Sequence, residues 1–351
     1  MTSTFRLAAL AAGAMTIAAA APVQAASFDC AKAGTAQEKL ICATPELSKL
    51  DEAVAAAYSQ ALAKLAEPVK TAMRDSQRDW VKYRNAACPV PAKPSPDLVV
   101  TPAECLSSLY QNRQKALAEA QTSAGPYSFV TIERFRADKT QSEDTRAQFP
   151  VYSTSTATPR MIAPAGPEAD AFNAVMKTWT DNYFAPPDPK KKQAGEDDTD
   201  IDTDFSGSVV FNYAGPTLIA LQQMNYMYGL GAAHGMTGAT SVTWLWREKR
   251  AMKADDLFKP GSNWQPALAK LVLDELHKQD FGKDEPFQIK EAQELRQTTD
   301  SPANWIVKPD SFGVQFGQYE VGPYAIGMPV IELPWSALKP YLVAAPPLAL
   351  K

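Results

Sequence analysis

All four cysteines of the chain, Cys30, Cys42, Cys88 and Cys105, fall in the first third of its 351 residues. An even count at such spacing reads as two disulfides formed in an oxidising compartment, with three possible connectivities. Four thiolates could instead close a zinc tetrahedron, but the wide spacing, with no C-x-x-C pair, argues against a metal. Cross-links confined to one end mark a boundary in composition. A small stapled unit is followed by a cysteine-free remainder that has to stand on its own core.

The N-terminus agrees with an oxidising destination. Arg6 precedes an apolar run from Leu7 to Ala21 that is too short to span a bilayer and suits a signal peptide. Val23-Gln24-Ala25 before Ala26 predicts cleavage after Ala25, which makes residues 1–25 the signal segment. Ser27-Phe28-Asp29 before Cys30 lacks the small apolar run that lipid attachment needs, and no later stretch reads as a membrane span. The expected product is periplasmic or secreted and free of the membrane. Losing one Arg and no acid takes the formal charge from −4 to −5. That balance argues against nucleic acid, whose phosphates call for clustered Lys and Arg, and leaves a basic protein partner open.

Three helices are legible in the first unit, expected at 26–122. Thr44-Pro45-Glu46 is a helix start, and Leu47, Leu50, Val54, Tyr58, Ala61, Leu62 and Leu65 then recur on one face as far as Pro68. A second helix to about Ala87 carries Met73, Gln77, Trp80 and Arg84 on one stripe. Thr101-Pro102-Ala103-Glu104 is a capping box that opens a third, with Leu106, Leu109, Tyr110, Arg113 and Leu117 inward. The short link at Pro68 predicts an antiparallel hairpin, so Cys42 and Cys88 should meet at one end, which predicts Cys42–Cys88 and Cys30–Cys105 pairing. Prolines 89, 91, 94, 96 and 102 forbid regular structure between the last two cysteines.

The ordered set Cys30, Glu38, Ile41-Cys42, Leu50-Asp51, Tyr58, Gln77, Trp80, Arg84, Cys88, Cys105, Tyr110 and Arg113 resembles the N-terminal domain of LprI-type lysozyme inhibitors. The resemblance runs from about Phe28 to Ala120 and implies a periplasmic helical domain associated with blocking lysozyme. Taken singly, Trp80 and Tyr110 read as core packing and Arg84 as an ion pair with Asp51 or Glu38.

From Tyr127 to the end, 127–351, the pattern changes to an α+β domain built on an antiparallel sheet. Phe172, Val175, Met176, Trp179 and Tyr183 make one amphipathic helix, and Trp264 to His277 another. Alternating apolar positions mark strands at Val209–Tyr213, Leu218–Tyr228, Thr240–Trp246, near Trp305, at Phe312–Phe316 and at Met328–Leu333. Between them, Pro186 to Asp204 is a polar insertion. Its Asp198, Asp200, Asp202 and Asp204 lack the glycine and glutamate of a calcium loop, and read as a solvated loop able to steer a cationic partner.

Two segments stand out. Tyr226-Met227-Tyr228-Gly229-Leu230-Gly231-Ala232-Ala233-His234-Gly235 places glycines where the backbone must turn, and Phe316 to Gly327 repeats the theme with Tyr319, Glu320, Pro323 and Tyr324. Both, together with Ala254-Asp255-Asp256-Leu257-Phe258, resemble the RsiV-like ectodomain of lysozyme-sensing anti-sigma factors and some peptidoglycan deacetylases, most closely over 204–342. The chain shows no transmembrane span for signalling and no deacetylase domain.

His234 between small residues could serve as an accessible general base. Its company argues otherwise: His277 is the one other histidine, and no zinc-protease, nucleophile-elbow or phosphate-loop motif is present. No catalytic residue, metal or cofactor is therefore expected. The chain reads as a non-enzymatic protein that binds lysozyme or a related peptidoglycan hydrolase and occludes its cleft, with Tyr228, His234, Tyr319, Glu320 and Tyr324 as contact candidates. The alternatives are a peptidoglycan- or glycan-binding envelope module whose aromatic rings stack on sugars, and a hydrolase using His234.

Overall fold

The computed structural model describes residues 26–91, 100–141, 143–146, 148–184, 202–279 and 289–350. The expected signal segment 1–25, Pro94 and Pro96, and the acidic residues Asp198 and Asp200 lie outside them. In chain order the helices are α1 (Ala36–Ala43), α2 (Pro45–Ala63), α3 (Val69–Ala87), α4 (Pro102–Ala118), α5 (Glu143–Arg146), α6 (Pro167–Phe184), α7 (Trp264–Leu276), α8 (Arg296–Thr299) and α9 (Trp335–Leu338). The strands are β1 (Gln121–Ala124), β2 (Tyr127–Lys139), β3 (Val151–Ala163), β4 (Thr203–Ala214), β5 (Leu218–Gly229), β6 (Met236–Leu245), β7 (Arg250–Ala251), β8 (Trp305–Val307), β9 (Ser311–Gln315) and β10 (Val330–Pro334). The class is α+β.

β1 to β7 lie side by side in sequence order in one sheet, and β8 to β10 form a second, antiparallel sheet. All pairings in the large sheet are antiparallel except β3 with β4, which run parallel over Thr154–Ala157 and Phe205–Ser208. A parallel pair needs a crossover longer than a tight turn, and α6 lies in that connection.

At the helical end, the starts of α1, α2 and α4 follow from their residues. Thr35 and Glu38 close a reciprocal capping box on α1, and Thr101 and Glu104 do the same on α4. Pro45 begins α2, where its missing N–H costs nothing. The periodic residues of the three long helices turn inward: Leu47, Val54, Met73, Trp80, Leu106, Tyr110 and Leu117 are buried in one core. That core also takes Val130 and Ile132 of β2, so the helices rest on the sheet. Tyr127 and Phe129 of the same strand join a different core with Phe172 and Met176 of α6 and Leu221 of β5. A third core packs α7 and the small sheet against Leu218, Ala220 and Leu245. At its centre Phe258 stacks on Trp264 at 4.4 Å and meets Trp305 edge-on at 5.3 Å.

The disulfides are Cys30–Cys42 and Cys88–Cys105, not the pairing expected from the hairpin. The hairpin reading left out α1. The segment after Cys30 makes a 3-10 turn and then α1, which folds Cys30 back to a Cα distance of 5.8 Å from Cys42. Cys88 ends α3 and Cys105 opens α4, with their Cα atoms 5.7 Å apart. Both bridges are therefore local in sequence.

Candidate functional site

The framework residues of the helical end are occupied with holding it together. Arg84 and Asp51 are both buried, and the Tyr110 hydroxyl joins them: Arg84 Nη1 donates to Tyr110 Oη at 2.6 Å, and Tyr110 donates to Asp51 Oδ1 at 2.7 Å. The Arg84 Nη1–Asp51 Oδ1 distance is 3.7 Å, and Asp51 Oδ2 accepts from the Ser27 N–H at 2.6 Å. Burial pushes the Tyr110 hydroxyl far above the usual phenol pKa, so it stays protonated and can donate. Arg113 donates to Glu133 at 2.5 Å and to Gln77 at 2.9 Å, tying α4 to β2 and α3. Glu38 is not Arg84's partner; its carboxylate accepts from the Gly34 and Thr35 N–H groups, and those bonds lower its pKa.

The two unusual segments meet at the tip of the β5–β6 hairpin. Tyr226 pairs with Thr237 and Met227 with Met236, and residues 230–235 connect the strands. Leu230 is buried and its N–H donates to the Asp202 carbonyl at 2.9 Å, which fixes the connection to the start of β4. Gly231 turns the chain at φ +86°, where a side chain would be strained. Gly235 is a glycine for space: a Cβ there would lie 2.3 Å from the Tyr226 ring.

The loop between β9 and β10 closes over this tip. Its base is held by Gln315, buried, which accepts from Gln222 of β5 at 3.1 Å and donates to the Met328 carbonyl at 2.8 Å. Its crown is held by Gln318, which accepts from the Thr237 N–H at 2.6 Å. Tyr319 sits at φ +64°, a left-handed conformation that costs a tyrosine energy and that the surrounding bonds enforce.

This closure brings together three of the five candidate residues. The His234 ring lies 4.1 Å from Tyr324, inclined at 31°, and Tyr319 Oη is 3.1 Å from His234 Nε2. Tyr324 donates to the Gly235 carbonyl at 3.1 Å, and His234 Nδ1 lies 3.2 Å from the same oxygen. A carbonyl can only accept, so a hydrogen bond to it puts a proton on Nδ1, and the Tyr319 hydroxyl, able to donate or accept, meets Nε2. Tyr319 is 50% exposed, and beside the cluster Tyr226 and Met227 are more than 40% exposed. Such a surface offers ring faces, thioethers and two tyrosine hydroxyls on a backbone pinned from both sides.

The other two candidates do different work. Glu320 turns its carboxylate to the Gly317 N–H at 2.7 Å and to the Thr298 hydroxyl, so it fastens the loop to α8. Burial raises its pKa, opposed by the Gly317 N–H. Tyr228 donates to the Ala232 carbonyl at 3.1 Å and meets Phe149 edge-on at 6.4 Å, bracing the connection. Tyr226, Met227 and Gln318 lie in the two segments that stand out in the sequence but, like Met236, were not among the contact candidates. For Tyr226 and Met227 a signal was present in β5, which is buried from Leu218 to Gln222 and then continues with large apolar side chains past its covered part. Of the acidic run, Asp202 accepts from the Gln141 N–H at 2.6 Å and Asp204 from the Ser153 N–H at 2.7 Å, so both act as structural acceptors. Among the described residues no cluster of His, Cys, Asp or Glu is arranged to hold a metal, and no helix is long and apolar enough to cross a membrane.

Residues 30–117 match the family model described as Lysozyme inhibitor LprI, and residues 255–336 match Protein of unknown function (DUF3298). The first match covers the disulfide-stapled helices; the second covers α7 to β10 with Tyr319 and Tyr324 and stops short of His234. The chain is 30% identical over 107 residues to Lipoprotein LprI of Mycobacterium bovis and of Mycobacterium tuberculosis, covering 30% of this chain and 48% of those proteins. It thus spans about half the length of these curated relatives. Solved structures that resemble it include a DUF3298 family member from Bacteroides fragilis (TM-score 0.45, 15% identity, 64% of this chain and 96% of that one). A DUF3298 family protein from Pseudomonas aeruginosa is similar at TM-score 0.43 and 15% identity, covering 64% of this chain and 97% of that one. The chain therefore carries an LprI domain at its N-terminal end and a DUF3298 domain at its C-terminal end.

Proposed function

We propose that this protein is exported and binds a lysozyme or a related peptidoglycan hydrolase, blocking it by covering its cleft. The observation that carries the reading is the cluster of exposed His234 and Tyr319 with half-buried Tyr324, and Tyr226 beside it, on a backbone fixed before any partner arrives. Rigid aromatic anchors lose little entropy on docking, which is the property of interface hot spots. The LprI match over 30–117 and the likeness to a mycobacterial lipoprotein LprI supply the partner class. The resemblance of 226–235 and 316–327 to the RsiV-like ectodomain supports the same partner class and is the reason for putting the contact on this cluster. Occlusion needs no catalytic group, and both nitrogens of His234 are already occupied by Tyr319 and Gly235.

Isothermal titration of the protein into hen-type lysozyme tests this. A one-to-one complex that weakens about tenfold or more in Tyr319→Ala and in Tyr324→Ala is expected. Absence of a complex at micromolar concentrations, or equal affinity in both variants, would remove the reading.

A further inference from the structure

We propose a second binding site, on the outer face of α3, that takes an extended acidic peptide. The inner face of this helix is committed to the core through Met73, Ser76, Trp80 and Arg84. Its outer face repeats a cation every fourth residue: Lys70, Arg74, Arg78 and Lys82. Four residues of helix rise about 6 Å, so the charges form a row of about that spacing. Beside the row runs an open groove of 510 Å³ lined by Tyr58 of α2 with Arg74, Gln77, Arg78, Val81 and Lys82. Val81 is 37% exposed there and, with the Tyr58 ring, gives the groove apolar surface between cationic side chains.

Charge decides the class of ligand. The chain as a whole is acidic, at −4, so a cationic groove on it is a local feature that draws anions to one place. Arg74 is paired with Glu67 at 2.8 Å and Arg78 with Asp75, while Asp79, the other acid of the helix, is taken by Arg134 at 2.7 Å. Lys70 and Lys82 have no ion pair among the described residues. The surplus is small and spaced, unlike the broad positive surface that a phosphate backbone requires. Carboxylates on alternate residues of an extended strand stand about 6.6 Å apart, close to the spacing of the cations. Lys82 in the groove and Lys70 beyond it are the cations open to ligand carboxylates, Arg74 and Arg78 add the N–H donors that Glu67 and Asp75 leave unused, and Tyr58 and Val81 cover apolar parts of the chain between. A volume of this size holds a short peptide segment. The site is separate from the His234 cluster, and a cationic lysozyme would be repelled by it, so it stands independently of the proposed function.

The test is fluorescence anisotropy with a labelled hexapeptide of alternating Asp and Val, titrated with the full-length protein. Saturable one-to-one binding is expected, weakening as salt rises and falling about tenfold in Arg78→Glu/Lys82→Glu. Both side chains are exposed, and a melting curve like the parent's establishes that the variant is folded. Arg74→Gln/Lys82→Gln, which only neutralises, should fall by a smaller factor. No saturable binding, equal binding of an alternating Lys and Val hexapeptide, or unchanged affinity in both variants overturns the proposal. Tighter binding of a hexathymidylate or a sulfated dextran than of the acidic peptide would also overturn it, in favour of a general polyanion surface.

Discussion

Replacing Asp51 by alanine removes the acceptor at the centre of the helical core, and the consequences can be worked group by group. Asp51 is 6% exposed and receives the Tyr110 hydroxyl at 2.7 Å and the Ser27 N–H at 2.6 Å, with Arg84 Nη1 at 3.7 Å. Without it, the Arg84 charge stays buried with only neutral acceptors, Asn85 Oδ1 and Tyr110 Oη. Stranding one partner of a buried pair costs about 3–5 kcal/mol. The retained neutral acceptors place this case near the lower end, at about 3 kcal/mol. Arg84→Met strands the carboxylate instead, but leaves it two donors, and should cost about 2–3 kcal/mol. Because each single change leaves the other charge stranded, Asp51→Ala/Arg84→Met should cost well below the sum, with a coupling of about 2 kcal/mol. Urea unfolding reports the energies, and hydrogen exchange over α2 to α4 locates the loss in the helical core. A single-variant cost under about 1 kcal/mol, or additive energies in the double variant, would refute the account of this core.

Three further outcomes follow from the same structure. Peptide mapping without reduction should recover Cys30 linked to Cys42 and Cys88 linked to Cys105, and Cys88→Ser/Cys105→Ser should lower stability by about 3 kcal/mol for a loop of this length. Asp256, held by Arg250 at 2.7 and 2.8 Å, has its pKa lowered chiefly by those bonds. Its contribution is present above the unfolded-state value near 3.9 and is lost as pH falls through the folded-state value, so the parent's advantage over Asp256→Asn should be flat above about pH 5 and shrink below about pH 4. Gly235→Ala puts a Cβ 2.3 Å from the end of the Tyr226 side chain, which can swing away; stability should change by less than about 1 kcal/mol while calorimetric affinity for the hydrolase drops.

The three long helices were legible because each has one apolar stripe and two of them a chemical start signal, and Pro45, Thr101 and the stripe through Leu47 and Val54 do what their spacing implies. The disulfide pairing was not, because it hinges on α1, a helix of only eight residues whose capping box at Thr35 and Glu38 was not read as a start, and whose folding back makes Cys30 a neighbour of Cys42. The contact between Val130, Ile132 and the helices was equally hidden, since adjacent residues of β2 serve different cores and no local pattern says which. At the candidate site, the glycine spacing marked the turn at Gly231, and the aromatic content marked Tyr319 and Tyr324. Which of these rings reach His234 depends on the Gln318–Thr237 and Gln315–Gln222 bonds between segments far apart in sequence. Glu320 reads in the sequence as a contact residue, and only the proximity of Thr298 and Gly317 shows that its carboxylate is occupied in fastening the loop.

The most direct test of the hydrolase-binding reading is inhibition. Lysozyme acting on purified peptidoglycan should lose activity in proportion to added protein, reaching full inhibition near one equivalent, and Tyr319→Ala/Tyr324→Ala should shift the curve to at least tenfold higher concentration at unchanged melting temperature. Full muramidase activity at a tenfold excess of protein, or an unshifted curve for the double variant, would contradict it.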